Sequence, residues 1–166
     1  MRALSLTEPW ASLVVMGEKK IETRSWKPYV FEAVAIHASK GFPKSARNFA
    51  TTNSYCSRSL FHGHFAHVDQ LPLGEIIGTA EIVGYLPTEV FTNQNDETHR
   101  QLLKQTAVNF SAQEREFGNY SENRFGWILR NPLMLKTPIP CKGALGLWKV
   151  PADIEAQIIN QLGEIN

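Results

Sequence analysis

The first amphipathic pattern along the chain predicts a short helix close to residue 10. Trp10 and Leu13 fall on one face at helical spacing, so that face is expected to be buried. Thr7 is predicted to cap this helix, and Pro9 suits its first turn, where a missing N–H costs nothing. Gly17 is expected to end the helix because glycine readily adopts the left-handed conformation.

The next stretch, residues 19–26, alternates and predicts a β-strand. Ile21 and Thr23 are β-branched, which favours an extended backbone. In a regular strand Lys19 lies on the same face as these two residues. The opposite face then combines charge with an indole, and its residues are Lys20, Glu22, Arg24 and Trp26.

The remaining pattern predicts several short strands and a few helices. Expected strands are 2–6, 32–38, 73–86, 124–129, 133–137 and 145–150. Expected helices are 43–49, 97–108, one that begins at Ser111 with Glu114 as its capping box, and one from Asp153 to 163. Residues 51–67 are predicted to be a mobile loop because Ser, Thr and Asn are frequent there.

These elements predict an α+β protein whose core is a mixed β-barrel, with helices packed on its outside. At 166 residues, a single domain over 1–166 is expected. Residues 87–122 are rich in charged and amide side chains and are predicted to be a helical excursion from the barrel. A closing helix is expected at about 153–163.

Composition favours a cytoplasmic protein. Cys56 and Cys141 are far apart and match no metal-ligand spacing, which fits reduced thiols in a reducing compartment. No apolar run approaches the ~20 residues of a membrane span, so no membrane partner is expected. We also expect neither a cofactor nor a metal.

Charge is unevenly distributed along the chain. Residues 1–60 contain nine Lys and Arg against four acids, whereas residues 61–166 contain eight against twelve. Clustered cations attract polyanions through counterion release, and aromatic rings stack on bases. The predicted nucleic-acid-binding residues are Lys19, Lys20, Arg24, Trp26, Lys27, His37, Ser39, Lys40 and Lys44.

Two groups of residues also have simpler interpretations. Lys19, Glu22 and Arg24 can form an ion-pair ladder on an exposed strand, which contributes ~0 to 1 kcal/mol per pair. Three histidines at 62, 64 and 67 invite a metal site, but a polar loop is the favoured interpretation because no Cys or Glu nearby completes a ligand set.

Six residues at fixed spacing carry a resemblance to a known family. The pattern G-x-K-x-x-E-x-R-S-W, from Gly17 to Trp26, is similar to the signature of the ASCH domain, a member of the PUA-like superfamily of small β-barrels. Further similar segments lie at 36–39, 73–81, 125–132 and 143–148, so the resemblance spans about residues 2–150. Many relatives have Arg-Gly where this chain has Val30 and Phe31.

The resemblance implies two kinds of activity. A PUA-like domain of this family is expected to bind RNA or another nucleic acid. A distant relative removes the acetyl group from acetylcytidine, and similarity to it implies catalytic roles for Lys19, Glu22 and Glu81. Glu22 stands where that enzyme has a threonine. Glu81 would act as general base, and Lys19 would stabilise an oxyanion.

We therefore expect a domain that binds RNA or single-stranded nucleic acid in a basic cleft and that recognises an unpaired or modified nucleotide. One alternative is a hydrolase that acts on a modified nucleoside such as acetylcytidine, or on RNA as a nuclease. Another is a protein-interaction module of the transcription-coactivator type, with its partner bound through residues 87–122.

Overall fold

The computed structural model describes residues 1–164. Over these residues the protein contains six β-strands, seven α-helices and a short 3₁₀ helix at Val68–Gln70. The strands are β1 (Arg2–Leu6), β2 (Ile21–Arg24), β3 (Ala33–Ala38), β4 (Glu75–Pro87), β5 (Phe125–Pro140) and β6 (Leu147–Lys149). The helices are α1 (Trp10–Val15), α2 (Lys44–Thr52), α3 (Ser54–Phe61), α4 (Thr88–Thr92), α5 (Glu97–Thr106), α6 (Ala112–Phe117) and α7 (Ala152–Gly163).

The strands form one sheet with the order β2-β5-β4-β3-β1-β6. β1 pairs with β3 in parallel and with β6 antiparallel, while β2 pairs antiparallel with β5. The mixed α+β architecture with a six-stranded, barrel-like sheet confirms the predicted fold class. In the described part of the chain, no helix combines the length and apolar character needed to cross a membrane.

The chain divides into two compact units. The first contains Met1–Glu18, Ala33–Ala80 and the chain from Asn131 onward; the second contains Lys19–Glu32 and Glu81–Arg130. The single domain predicted over 1–166 stays a prediction, and residues 165 and 166 lie outside the described range. Three helices, α4 to α6, lie within the predicted excursion at 87–122.

Each unit has its own buried apolar side chains. In the first unit a core cluster joins strands β1, β3, β4 and β5 with helix α7, and its members are Ala3, Ala35, Ile76, Leu135, Ile139, Val150 and Ile158. In the second unit the large buried side chains are Ile21, Phe91, Phe117 and Trp127. Burial of such side chains contributes about 1.5–3 kcal/mol each before the entropy of ordering is counted.

The ends of α1 show one correct and one wrong prediction. Gly17 has φ +75°, and the N–H groups of Gly17 and Glu18 donate to the carbonyls of Val14 and Leu13. This is the Schellman pattern that a C-terminal glycine allows. Thr7 does not cap the helix with its side chain; instead its carbonyl accepts from the N–H groups of the first helical residues.

Two further predictions about local structure are wrong. Residues 51–67 are mostly helical, because the Asn53 side chain accepts from the Cys56 N–H and caps α3. The strands predicted at 124–129 and 133–137 are one strand, β5. Asn131 has φ +48° within it, and such a left-handed residue fits a bulge, so the strand continues through the Asn-Pro pair.

Glu8 is fully buried just before α1. Its carboxylate accepts hydrogen bonds from the Ser12 N–H, at 3.2 Å, and from the Ser12 hydroxyl, at 2.9 Å. Burial dominates over these bonds and raises the pKa of Glu8 to about 7. Burial raises the pKa of the Cys56 thiol, and the charged form of Glu8 adds to this rise.

This burial makes stability depend on pH. The folded state binds a proton at Glu8 that the unfolded state has lost above about pH 4.5. We expect the free energy of unfolding to fall by about 3 kcal/mol as the pH rises from 4.5 through 7. Urea unfolding across this range should show the slope in the wild type, and Glu8→Gln should flatten it. Glu122→Gln, at an exposed position, is the control. An unchanged slope in Glu8→Gln would contradict the assignment.

Candidate nucleic-acid interface

The Lys19 ammonium group points into the second unit rather than toward solvent. The residue is 1% exposed, although it comes from a stretch with the charge pattern of an outer strand. Its Nζ donates to the carbonyl oxygens of Ile21 and Phe117, the latter at 2.9 Å. Phe117 is the last residue of α6, where the helix dipole is negative. Lys19 therefore ties the start of β2 to the end of this helix.

Glu22 connects the two cations of the motif. Its carboxylate oxygens lie 3.6 Å from Lys19 Nζ and 2.9 Å from Arg24 Nε. Glu22 and Arg24 share a face of β2, as the alternation predicted. Lys19 was expected on the opposite face, but it precedes the strand, which begins at Ile21, so the alternation does not apply to it. Lys19 and Glu22 are buried and Arg24 is partly exposed, so the three charges form a largely buried network rather than an exposed ladder.

Glu114 and Tyr120 belong to the same region, and no sequence pattern predicts the contacts that they make there. The Ser111 side chain caps α6 as predicted, but Glu114 does not complete a capping box. Its carboxylate instead accepts from the Lys20 N–H. Burial raises the pKa of Glu114, and the charge of Lys19 opposes this. Burial, with the charges of Glu114 and Glu22, also raises the pKa of Tyr120.

The other predicted residues of the second unit lie closer to its surface. Lys20 and Lys27 are exposed, and Trp26 and Glu81 are partly exposed. The Trp26 ring stacks with Tyr29 and meets the Trp127 ring edge-on. Glu81 is on β4. The second unit thus holds the three predicted catalytic residues, Lys19, Glu22 and Glu81, of which the first two are joined by an ion pair.

A separate group of predicted residues lines a cavity of about 540 Å³ in the first unit. His37 is near the end of β3, and Ser39 and Lys40 follow it. The parallel register of β1 and β3 places Ser5 directly beside His37. Of the described residues that line the cavity, none is acidic, and the set is Ser5, His37, Ser39, Lys40, Gly74, Cys141, Lys142 and Gly143.

His37 is held as a neutral imidazole at this cavity. It is buried, and burial lowers its pKa. Its Nε2 lies 2.9 Å from the Cys141 carbonyl, so Nε2 carries the proton and Nδ1 is an acceptor. Among the described residues, Nδ1 has no hydrogen-bond partner. Gly143 packs on the ring so closely that a Cβ there would lie 2.3 Å from His37 Cε1.

Sequence reasoning missed Ser5 and Lys142 as cavity residues. A signal existed for Lys142, because it immediately precedes the segment at 143–148, which is similar to the family pattern. Ser5 could be placed at the cavity only if it were known that β1 and β3 run parallel, which no local pattern predicts.

Lys44, also predicted to bind nucleic acid, is exposed at the first residue of α2. The described residues contain no group of three His, Cys, Asp or Glu that could hold a metal ion.

The buried Lys19 network generates a prediction about stability. Lys19→Met keeps much of the apolar stem but removes the donor of two carbonyls and leaves Glu22 with Arg24 alone as its cation. We expect the free energy of unfolding to fall by about 3 kcal/mol, the cost of breaking a buried pair. Urea unfolding measures this. The control is Lys20→Met, at the exposed neighbour, with an expected change within about 0.5 kcal/mol. Equal effects of the two substitutions would contradict a buried role for Lys19.

Comparisons with known proteins agree with this architecture. The ASCH domain profile matches residues 4–139. The chain is similar to Activating signal cointegrator 1 of Homo sapiens, with 26% identity over 153 residues, and of Mus musculus, with 24% over 151 residues. Each alignment covers 91% of this chain but 22% of the relative, so the chain spans about a fifth of these curated relatives' length.

Solved structures of another ASCH protein share this fold. The crystal structure of ASCH from Zymomonas mobilis matches with a TM-score of 0.52 and 15% identity, covering 96% of this chain and 93% of that one. A single-residue variant of that protein matches with a TM-score of 0.53. At such identity the likeness concerns the fold alone. Because the profile covers most of the sequence, the chain belongs to the PUA-like ASCH domain family.

Proposed function

We propose that this protein binds RNA or another single-stranded nucleic acid, and that the cavity of the first unit holds part of the strand. The observation that carries this proposal is the chemistry of the cavity. Two lysines, Lys40 and Lys142, meet hydroxyl and imidazole groups there, and none of its described lining residues is acidic. At about 540 Å³ it falls within the size range of small-ligand sites, which suits a nucleotide.

The polar groups of the cavity have complementary roles in this proposal. Lys40 and Lys142 are exposed and supply positive charge for phosphate oxygens. Ser39 also lines the cavity, and its hydroxyl can pair with a hydroxyl or amino group of an unpaired or modified nucleotide.

The geometry favours binding over the hydrolase alternative. Hydrolysis of a modified nucleoside or of RNA through Lys19, Glu22 and Glu81 requires an ammonium group that a substrate can reach. Lys19 is 1% exposed and already binds two backbone carbonyls and Glu22.

A protein-interaction role for residues 87–122 has one supporting feature, a cavity of about 450 Å³ lined in part by Leu102, Gln105 and Thr106 of α5.

Removal of the two cavity lysines should weaken binding and reduce its dependence on salt. Fluorescence anisotropy with a labelled single-stranded RNA would measure affinity across about 50 to 200 mM salt. For Lys40→Ala combined with Lys142→Ala, we expect the slope of log affinity against log salt to decrease in magnitude by about 1.4, or about 0.7 for each phosphate contact.

Lys149→Ala provides a matched control, because Lys149 is also an exposed lysine of the first unit. It should leave both affinity and slope close to the wild-type values. Equal slopes for the double variant and the wild type would show that the cavity lysines contact no phosphate. Absence of any RNA binding by the wild type at low salt would reject the proposed function itself.

A further inference from the structure

The segment between β2 and β3 exposes two aromatic rings on the second unit. Tyr29 and Phe31 are each 58% exposed. A large apolar side chain that is this exposed does not gain the stabilisation that burial provides. Exposed apolar side chains that lie close together mark an interaction surface more often than isolated ones do. Neither residue is among the predicted nucleic-acid-binding residues, although Trp26 and Lys27 immediately before them are.

Each exposed ring is supported by two others. Tyr29 stacks on Trp26, with centroids 6.2 Å apart and planes at 27°, and Trp26 meets the buried Trp127 edge-on at 4.5 Å. A hydrogen bond from Trp127 Nε1 to the Trp26 carbonyl, at 3.0 Å, holds this contact. The exposed ring is therefore held in place by packing rather than projecting freely.

Phe31 repeats the arrangement. It stacks on Tyr85, with centroids 6.4 Å apart and planes at 9°, and Tyr85 meets Phe125 edge-on at 5.9 Å. Lys27 places its ammonium 5.9 Å from the Tyr85 centroid and 5.4 Å from the Phe125 centroid. Both distances fit a cation–π contact, which keeps a positive charge next to the rings.

We infer that Tyr29 and Phe31, supported by Trp26 and Tyr85, form a stacking platform for unpaired bases of a single strand, with Lys27 near its phosphates. The inference deepens the proposed function and rests on it. Every base has a π-face, so ring platforms bind single strands with little sequence preference, and a neighbouring cation complements the strand's charge. Protein partners also use aromatic contacts, but the fixed, stacked rings with an adjacent Lys27 favour bases.

The platform requires rings rather than apolar bulk, and this makes it testable. Tyr29→Leu and Phe31→Leu retain an apolar side chain without a π-face, whereas Tyr29→Phe and Phe31→Tyr retain the ring. By anisotropy with labelled oligouridine at low salt, each leucine variant should bind about 5- to 150-fold more weakly, the equivalent of one lost stacking contact. The ring-retaining variants should bind like the wild type.

Two comparisons separate this inference from the proposed function. The wild type should bind oligouridine more tightly than an abasic strand of the same length, and the leucine variants should lose that preference. Ile159→Ala, at a residue 57% exposed on α7, controls for removal of exposed apolar surface. Binding of both strands with equal affinity, or full affinity in the leucine variants, would overturn the platform while the proposed function stands. No binding of any strand would overturn both.

Discussion

The second unit depends on one buried positive charge. A lysine ammonium that loses its water needs several acceptors, and Lys19 finds them in two carbonyls and one carboxylate. Two of these acceptors, the Ile21 carbonyl and the Glu22 carboxylate, come from β2, and the third, the Phe117 carbonyl, comes from the end of α6. A single side chain thus connects parts of the chain almost a hundred residues apart. The Glu114 bond to the N–H of Lys20, the residue before β2, connects α6 to the same stretch a second time.

This interaction changes how the family motif is understood. Lysine, glutamate and arginine at fixed spacing suggest a surface that meets a polar ligand. In this protein Glu22 bridges the two cations, and the charges largely satisfy one another within the unit. Two other surfaces have groups that a ligand can reach. The segment between the motif and β3 exposes two aromatic rings, and the cavity beside the end of β3 is lined by two lysines.

Sequence reasoning succeeded where the decisive interactions are local. The Schellman turn at Gly17 and the cap of Ser111 on α6 depend on residues within one helical turn, so pattern and propensity are sufficient. Sequence reasoning failed where a residue's partner lies far away along the chain. Glu114 is predicted to bond within its own helix, yet the backbone N–H of Lys20, just before β2, provides its partner. Likewise, Ser5 lines the cavity only because β1 pairs in parallel with β3.

The most direct test of this account is a double-mutant cycle between Lys19 and Glu22. The free energies of unfolding of Lys19→Met, Glu22→Gln and the double variant would be measured by urea titration. If the two charges satisfy each other inside the unit, the double variant will lose less stability than the sum of the single variants, by about 1–3 kcal/mol. Additivity within about 0.5 kcal/mol would contradict the claim that this buried interaction organises the unit.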